Sequence, residues 1–345
     1  MMRHVPFLIS AAVITAGLIL TNPALAQPSA GYHLLKTYKL GGEGGWDYLT
    51  LDNSTRYLYI SRGTHVMVID VDTGKQVAEI ADTPGVHGIA LAPELGRGFT
   101  SNGREGTVSI FDLKSFETLS KVKVGQNPDA ILYDAASKRV FTFNGRSSDS
   151  TVIDAAKGTL VGTIQLEGKP EFAVSDGRGE LFVNIEDKNQ LDALDSNKLE
   201  VKARWPLSPC EGPSGLALDR ENRRLFSGCE KLLAIVDADS GKVVSTLPIC
   251  DGVDATAYDE ETKLAFASCR DGKLTVIREA SPNQFSVMEN ATTQEGARTM
   301  ALDRKNHQVY TVTAKFGPRP EPTEQNPHPR PSITPDSFVV LVMGK

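Results

Sequence analysis

The sequence predicts an all-β protein, a seven-bladed β-propeller with four-stranded blades, and three observations predict it. One short apolar strand recurs seven times at near-constant spacing. An aromatic residue follows every copy, and the two ends of the chain supply complementary parts of a single incomplete unit.

The recurring strand occupies residues 48–52, 89–93, 130–134, 172–176, 215–219, 255–259 and 299–303. Its closing residues, Asp52, Pro93, Asp134, Asp176, Asp219, Asp259 and Asp303, are separated by 41, 41, 42, 43, 40 and 44 residues. Six or seven positions further on stand Tyr59, Phe99, Phe141, Phe182, Phe226, Phe266 and Tyr310. Each unit continues with an alternating run such as 66–70, a turn such as Asp72-Thr73-Gly74-Lys75, and a second alternating run such as 76–80. Period-two segments joined by turn residues read as strands, four to a unit. A four-stranded sheet cannot hide both faces alone, whereas seven stacked around an axis can. The repeated aromatics are therefore assigned to packing between blades. In the sixth unit Arg278 replaces the acid that closes the third strand elsewhere, and the turn is rebuilt as Ala280-Ser281-Pro282-Asn283. Such tolerance suits a solvated turn.

The last unit has strands at 299–302, 309–313 and 338–342, and the sequence ends at Lys345 before a fourth. An unassigned alternating segment, 32–40, precedes the first repeat. Placed as the outer strand of the seventh blade, it joins both termini in one sheet and closes the ring. Residues 27–345 are accordingly one propeller domain.

Residues 1–26 carry a different pattern. Arg3 and His4 precede an apolar run from Phe7 to Leu20, and Ala24-Leu25-Ala26 gives small side chains at the −3 and −1 positions of a cleavage site after Ala26. This is the pattern of a secretory signal peptide, and the run is shorter than the ~20 residues a spanning helix needs. The expected location is periplasmic or secreted, with no membrane span after cleavage. With 345 residues, 40% apolar and 23% charged, the chain is neither disordered nor fibrous. Its net charge of −6, from 37 Lys+Arg against 43 Asp+Glu, disfavours nucleic acid as a partner.

The run Val140-Phe141-Thr142-Phe143-Asn144, followed by Thr151-Val152-Ile153-Asp154 and the segment 158–164, resembles the YVTN-repeat, YncE-like propellers of exported bacterial proteins. The likeness covers essentially all of residues 27–345. The asparagine after the second strand is matched by Asn102, Asn144 and Asn184, with Cys229 and Cys269 at that place in two later blades. The resemblance implies fold, export and a binding role, including DNA binding in at least one relative.

All four cysteines, Cys210, Cys229, Cys250 and Cys269, obey the repeat: 210 to 250 and 229 to 269 are both 40 residues. In each unit one precedes an inner strand and the other ends its antiparallel neighbour. Disulfides 210–229 and 250–269 are therefore predicted over the pairing that joins different blades. A Cys₄ metal site lacks the close spacing of zinc centres.

In propellers the loops before the first strand and after the second gather around one mouth of the channel. Five residues before the closing positions stand Asp47, Gly88, Asp129, Glu171, Ser214, Asp254 and Arg298, flanked by Trp46 and His87. Trp46, Asp47, His87, Asp129, Glu171, Asp254 and Arg298 are the candidate ligand-binding residues. The second-strand loops add Arg62, His65, Asn102, Arg104, Asn144, Arg146, Glu186 and Arg270. One structural departure lies over the same face, a proline-rich loop at 316–337 inside the seventh unit. It is expected to form a stiff, extended cover or a docking strip.

No nucleophile motif is present, and His65, His87 and His328 are the histidines near the mouth. The primary expectation is a monomeric, non-enzymatic scaffold, without a cofactor, that recognises a small polar or cationic ligand or an envelope protein. The alternative is a lactonase-type, metal-assisted hydrolase with a divalent cation such as Ca²⁺ on Glu171, Asp254, Asn144, Asn102 and His87, since carboxylates are hard oxygen ligands.

Overall fold

The computed structural model describes residues 1–2, 31–323, 329 and 331–345, and Gly31–Lys345 form one compact unit. The signal-peptide assignment, His328 and the tip of the proline-rich loop lie outside the described residues. Among the described residues no helix is long and apolar enough to cross a membrane.

Seven antiparallel sheets of four strands each make up the unit. Their innermost strands neighbour one another around a central axis, so the chain is a seven-bladed β-propeller. Blade one runs Leu49–Asp52, Tyr57–Ser61, Val66–Asp70 and Lys75–Ile80 from the axis outward. Its third strand is buried on both faces because blades press on it from either side, whereas its outer strand alternates exposed and covered positions. The seven repeated aromatics are at most 2% exposed, and each hydrophobic cluster draws most of its members from two adjacent blades. Dispersion and burial across these seams hold the ring together.

The acids that close the third strands are turn formers. Asp70 Oδ1 accepts the backbone N–H groups of Asp72 and Thr73 at 2.9 and 2.8 Å, and Asp112, Asp154, Asp195 and Asp237 do the same for their own turns. Blade six lacks the acid. Its strands Lys273–Ser281 and Gln284–Thr292 consequently run on to nine residues each and reverse through Pro282-Asn283.

Ring closure follows the expected route. His33–Lys39 pairs antiparallel with Val339–Gly344, and the sheet continues through Gln308–Thr313 to Met300–Asp303. Tyr38 on the added strand is buried in the seam with blade one and donates to the Val71 carbonyl at 2.6 Å. On the opposite side of the ring from the mouth, Arg56 of blade one reaches Asp303 of blade seven at 2.7 Å, and His307 reaches Asp259 of blade six at 2.7 Å. Cys210 pairs with Cys229 and Cys250 with Cys269, with Cα–Cα distances of 5.5 and 5.7 Å. Two disulfides fit an oxidising, extracytoplasmic compartment.

One register differs from the sequence reading. Ala92 faces Arg97 as Asp52 faces Tyr57, so Ala92 and not Pro93 closes the inner strand of blade two. Pro93 instead opens the 3₁₀ turn Pro93–Leu95, a position where its missing N–H has no ladder partner to lose. The correction moves every inner position of blade two back by one.

Candidate functional site

With the corrected register, the fifth residue before each closing position is Asp47, His87, Asp129, Glu171, Ser214, Asp254 and Arg298, one from each blade. His87 therefore takes the ring position that Gly88 holds in the sequence reading. The structural reason for the glycine is different: a Cβ on Gly88 would come within 2.8 Å of Ile131 in the next blade.

The ring is joined by charge. Arg298 bridges Asp254 and Asp47, the latter at 3.0 Å. His87 Nδ1 lies 2.6 Å from Asp47 Oδ2 and 3.6 Å from Asp129 Oδ1. Glu171 pairs with Lys169 at 2.6 Å, and Lys169 also contacts Glu186. Ser214 Oγ donates to the Asp254 carbonyl at 3.1 Å. Each of these ring groups is only partly exposed, at the mouth of the channel.

Burial and crowding set the protonation of the ring. Burial works to raise Asp47, but the His87 hydrogen bond and Arg298 hold it below the ordinary carboxylate range. Burial raises Asp129, with Asp47 adding to the shift. Burial and the Asp129 charge raise Glu171 against the pull of Lys169. Asp254 is also raised, by burial more than Arg298 can offset. Burial opposes the charge on His87, yet Asp47 and Asp129 push its pKa up. The four ring carboxylates thus stand against His87, Arg298 and Lys169, with Arg270 also acting on Asp254.

One residue below the ring, Tyr48 of blade one and Phe172 of blade four stack across the axis with centroids 4.6 Å apart. The Tyr48 hydroxyl is buried and has no hydrogen-bond partner among the described residues. Burial, then Asp129, Glu171, Asp47 and Asp254, push its pKa well above the usual phenol value. Toward the opposite face the lining mixes apolar side chains with polar ones such as Thr50, Asp52, Thr256 and Arg220. Two cavities of about 350 and 340 Å³ share Leu51 and Asn53 and are lined by inner-strand residues such as Leu91, Leu132, Val174, Leu218 and Leu302.

Several residues expected at the mouth serve the fold instead. Trp46 packs on the seam between blades one and seven, with Phe338 at 5.4 Å and Phe316 at 6.0 Å. Arg62 is buried, lies 3.7 Å over the Phe338 ring, and donates to the carbonyls of residues 41–45 at 2.8–3.4 Å. Its burial lowers its pKa to about 10. Gly44 permits this wrapping, since its φ is +95° and a Cβ there would lie 2.5 Å from the Arg62 carbonyl. Asn102 and Asn144 are fully buried and donate to Thr107, Ser109, Asp149 and Thr151 inside their own blades. Their side chains are thereby withdrawn from any lactonase-type ligand set. The proline-rich loop is anchored by Phe316, which bridges Ile333 and rests on Trp46. Sequence reasoning missed Tyr48, Phe172 and Lys169. The signal for the first two emerges only with the corrected register, which puts Gly88 in place of Ile89 and leaves Gly, Ala or Thr at that position in the other five blades.

Fold and site together define a WD40-like seven-bladed propeller with a polar channel mouth. No protein-family model matches the chain, and no curated protein matches it significantly. Solved structures match the fold. A chain of Kuenenia stuttgartiensis hydrazine synthase shares 16% identity at a TM-score of 0.68, covering 78% of this chain and 92% of that one. A chain of the mitotic checkpoint complex shares 13% at 0.74, covering 96% and 99%. The RRP9 WD40 repeats share 10% at 0.72, covering 92% and 98%.

Proposed function

We propose that this chain is an exported, YncE-like recognition scaffold that binds a small cationic ligand at its channel mouth. The observation that carries the reading is the ring of one polar residue per blade, in which Asp47, Asp129, Glu171 and Asp254 stand against His87, Arg298 and Lys169. Partly buried carboxylates pushed above their ordinary pKa gain by acquiring a positive partner. The buried, unpartnered Tyr48 hydroxyl and the aromatic floor it forms with Phe172 add a polar contact and a face for an ammonium group. A rigid ring with loop-borne groups at one end is the usual place for such a site. Export is supported by the signal-peptide pattern of residues 1–26 and by the two disulfides.

Calorimetric titration of the purified chain with choline and with spermidine tests the reading. Saturable binding that weakens about tenfold or more in Asp129→Asn is the expected result. Absence of saturable binding by every cation tried, choline, spermidine and divalent metal ions included, or binding indifferent to Asp129, overturns it.

A further inference from the structure

Resting on the reading of the mouth as a cation site, we propose that its native occupant is a single divalent transition-metal ion of the zinc class, held by Asp47, His87 and Asp129. These three residues come from successive blades, and their ligand atoms all lie within 4.8 Å of one another. Tetrahedral coordination with bonds of 2.0–2.1 Å puts neighbouring ligand atoms roughly 3.3 Å apart. The observed 2.6 Å from His87 Nδ1 to Asp47 and 3.6 Å to Asp129 bracket that spacing. One imidazole with two carboxylates is a borderline donor set, which selects zinc-like ions over Ca²⁺ and Mg²⁺, whose ligands are oxygens.

Two further features belong to such a site. Arg298 holds Asp47 Oδ1 at 3.0 Å, which turns Oδ2 toward His87 and fixes the carboxylate as outer-shell partners do in metal centres. The Tyr48 hydroxyl, buried and without a hydrogen-bond partner among the described residues, is an independent sign of a polar occupant. On binding, the ion replaces the proton shared by His87 Nδ1 and Asp47, and that proton leaves to solvent. The other potential ligand cluster among the described residues, Cys250, Cys269 and Asp271, is excluded because its sulfurs form a disulfide.

The test uses the full chain stripped with a chelator, titrated with ZnCl₂ by calorimetry and with CoCl₂ by visible absorption. The expected result is one ion per chain, a Kd below about 10 µM, and the intense bands of four-coordinate Co²⁺. His87→Gln and Asp129→Asn each weaken binding about tenfold or more, whereas His33→Gln on the exposed outer strand leaves it unchanged. Should a variant fail to fold, the wild-type Co²⁺ spectrum decides, since weak six-coordinate bands overturn the proposal. So does absence of saturable metal binding, or equal binding by the variants. Choline or spermidine binding without metal binding refutes the metal site and leaves the scaffold reading standing; loss of both refutes both.

Discussion

The closing strand gives the most direct test of the architecture. Tyr38 lies on His33–Lys39, the strand that the N-terminal segment lends to blade seven, and its ring fills the seam with blade one. Gly74 of blade one packs against that ring so closely that a Cβ there would lie 2.0 Å from it, and the hydroxyl satisfies the Val71 carbonyl at 2.6 Å. Tyr38→Ala removes a buried aromatic and leaves that carbonyl unpaired, a loss of about 3–5 kcal/mol. With an unfolding entropy near 2.1 cal/mol/K per residue over the roughly 315 residues of Gly31–Lys345, this lowers Tm by about 5–8 °C. Leu34→Ala on the same strand is the control, because Leu34 is 48% exposed and its truncation changes stability by about 0.5 kcal/mol or less. Differential scanning calorimetry of both variants reads the difference. A Tyr38→Ala midpoint within about 1 °C of the Leu34→Ala midpoint refutes the view that this strand locks the ring.

Three further outcomes follow from contacts within and between the blades. Arg56→Met strands the fully buried Asp303 carboxylate and costs about 3–5 kcal/mol at neutral pH. Burial works to raise Asp303, but the Arg56 hydrogen bond holds it below its ordinary value; that stabilisation is complete above the unfolded pKa of about 3.9 and lost as pH falls through the folded one. The gap between wild type and Arg56→Met in urea unfolding therefore narrows below about pH 4. Reducing both disulfides, each spanning a separation of 19 residues, removes about 3 kcal/mol apiece in the chain-entropy account, read as a lower midpoint in urea with dithiothreitol present. Gly215→Ala places a Cβ 2.5 Å from the Thr256 backbone nitrogen of the neighbouring blade and is expected to cost about 1–3 kcal/mol by thermal melting.

Fold and cysteine pairing were readable from the chain because each rests on a pattern that local chemistry enforces and the repeat copies. Alternating strands and aromatics state the same unit seven times, turn-capping acids repeat it in most blades, and the cysteines, 40 residues apart, repeat it in two. Closure was readable from a strand left over at one end and a strand missing at the other. The candidate site was legible as a set of residue types and not as an arrangement. Only the strand pairing shows that Pro93 begins a turn, which brings His87 level with Asp47 and Asp129. Arg62, a cation by type, is drawn into the fold by the carbonyls of 41–45, and Asn102 and Asn144 are turned inward by their own blades. Tyr48 and Phe172 stand 124 positions apart on blades that are not neighbours in the ring, and they meet because a ring of seven sheets turns their inner strands toward one axis. Sequence periodicity records what each sheet needs from its own residues and its neighbours, whereas contacts across the channel depend on the diameter and closure of the whole ring, which no single repeat encodes.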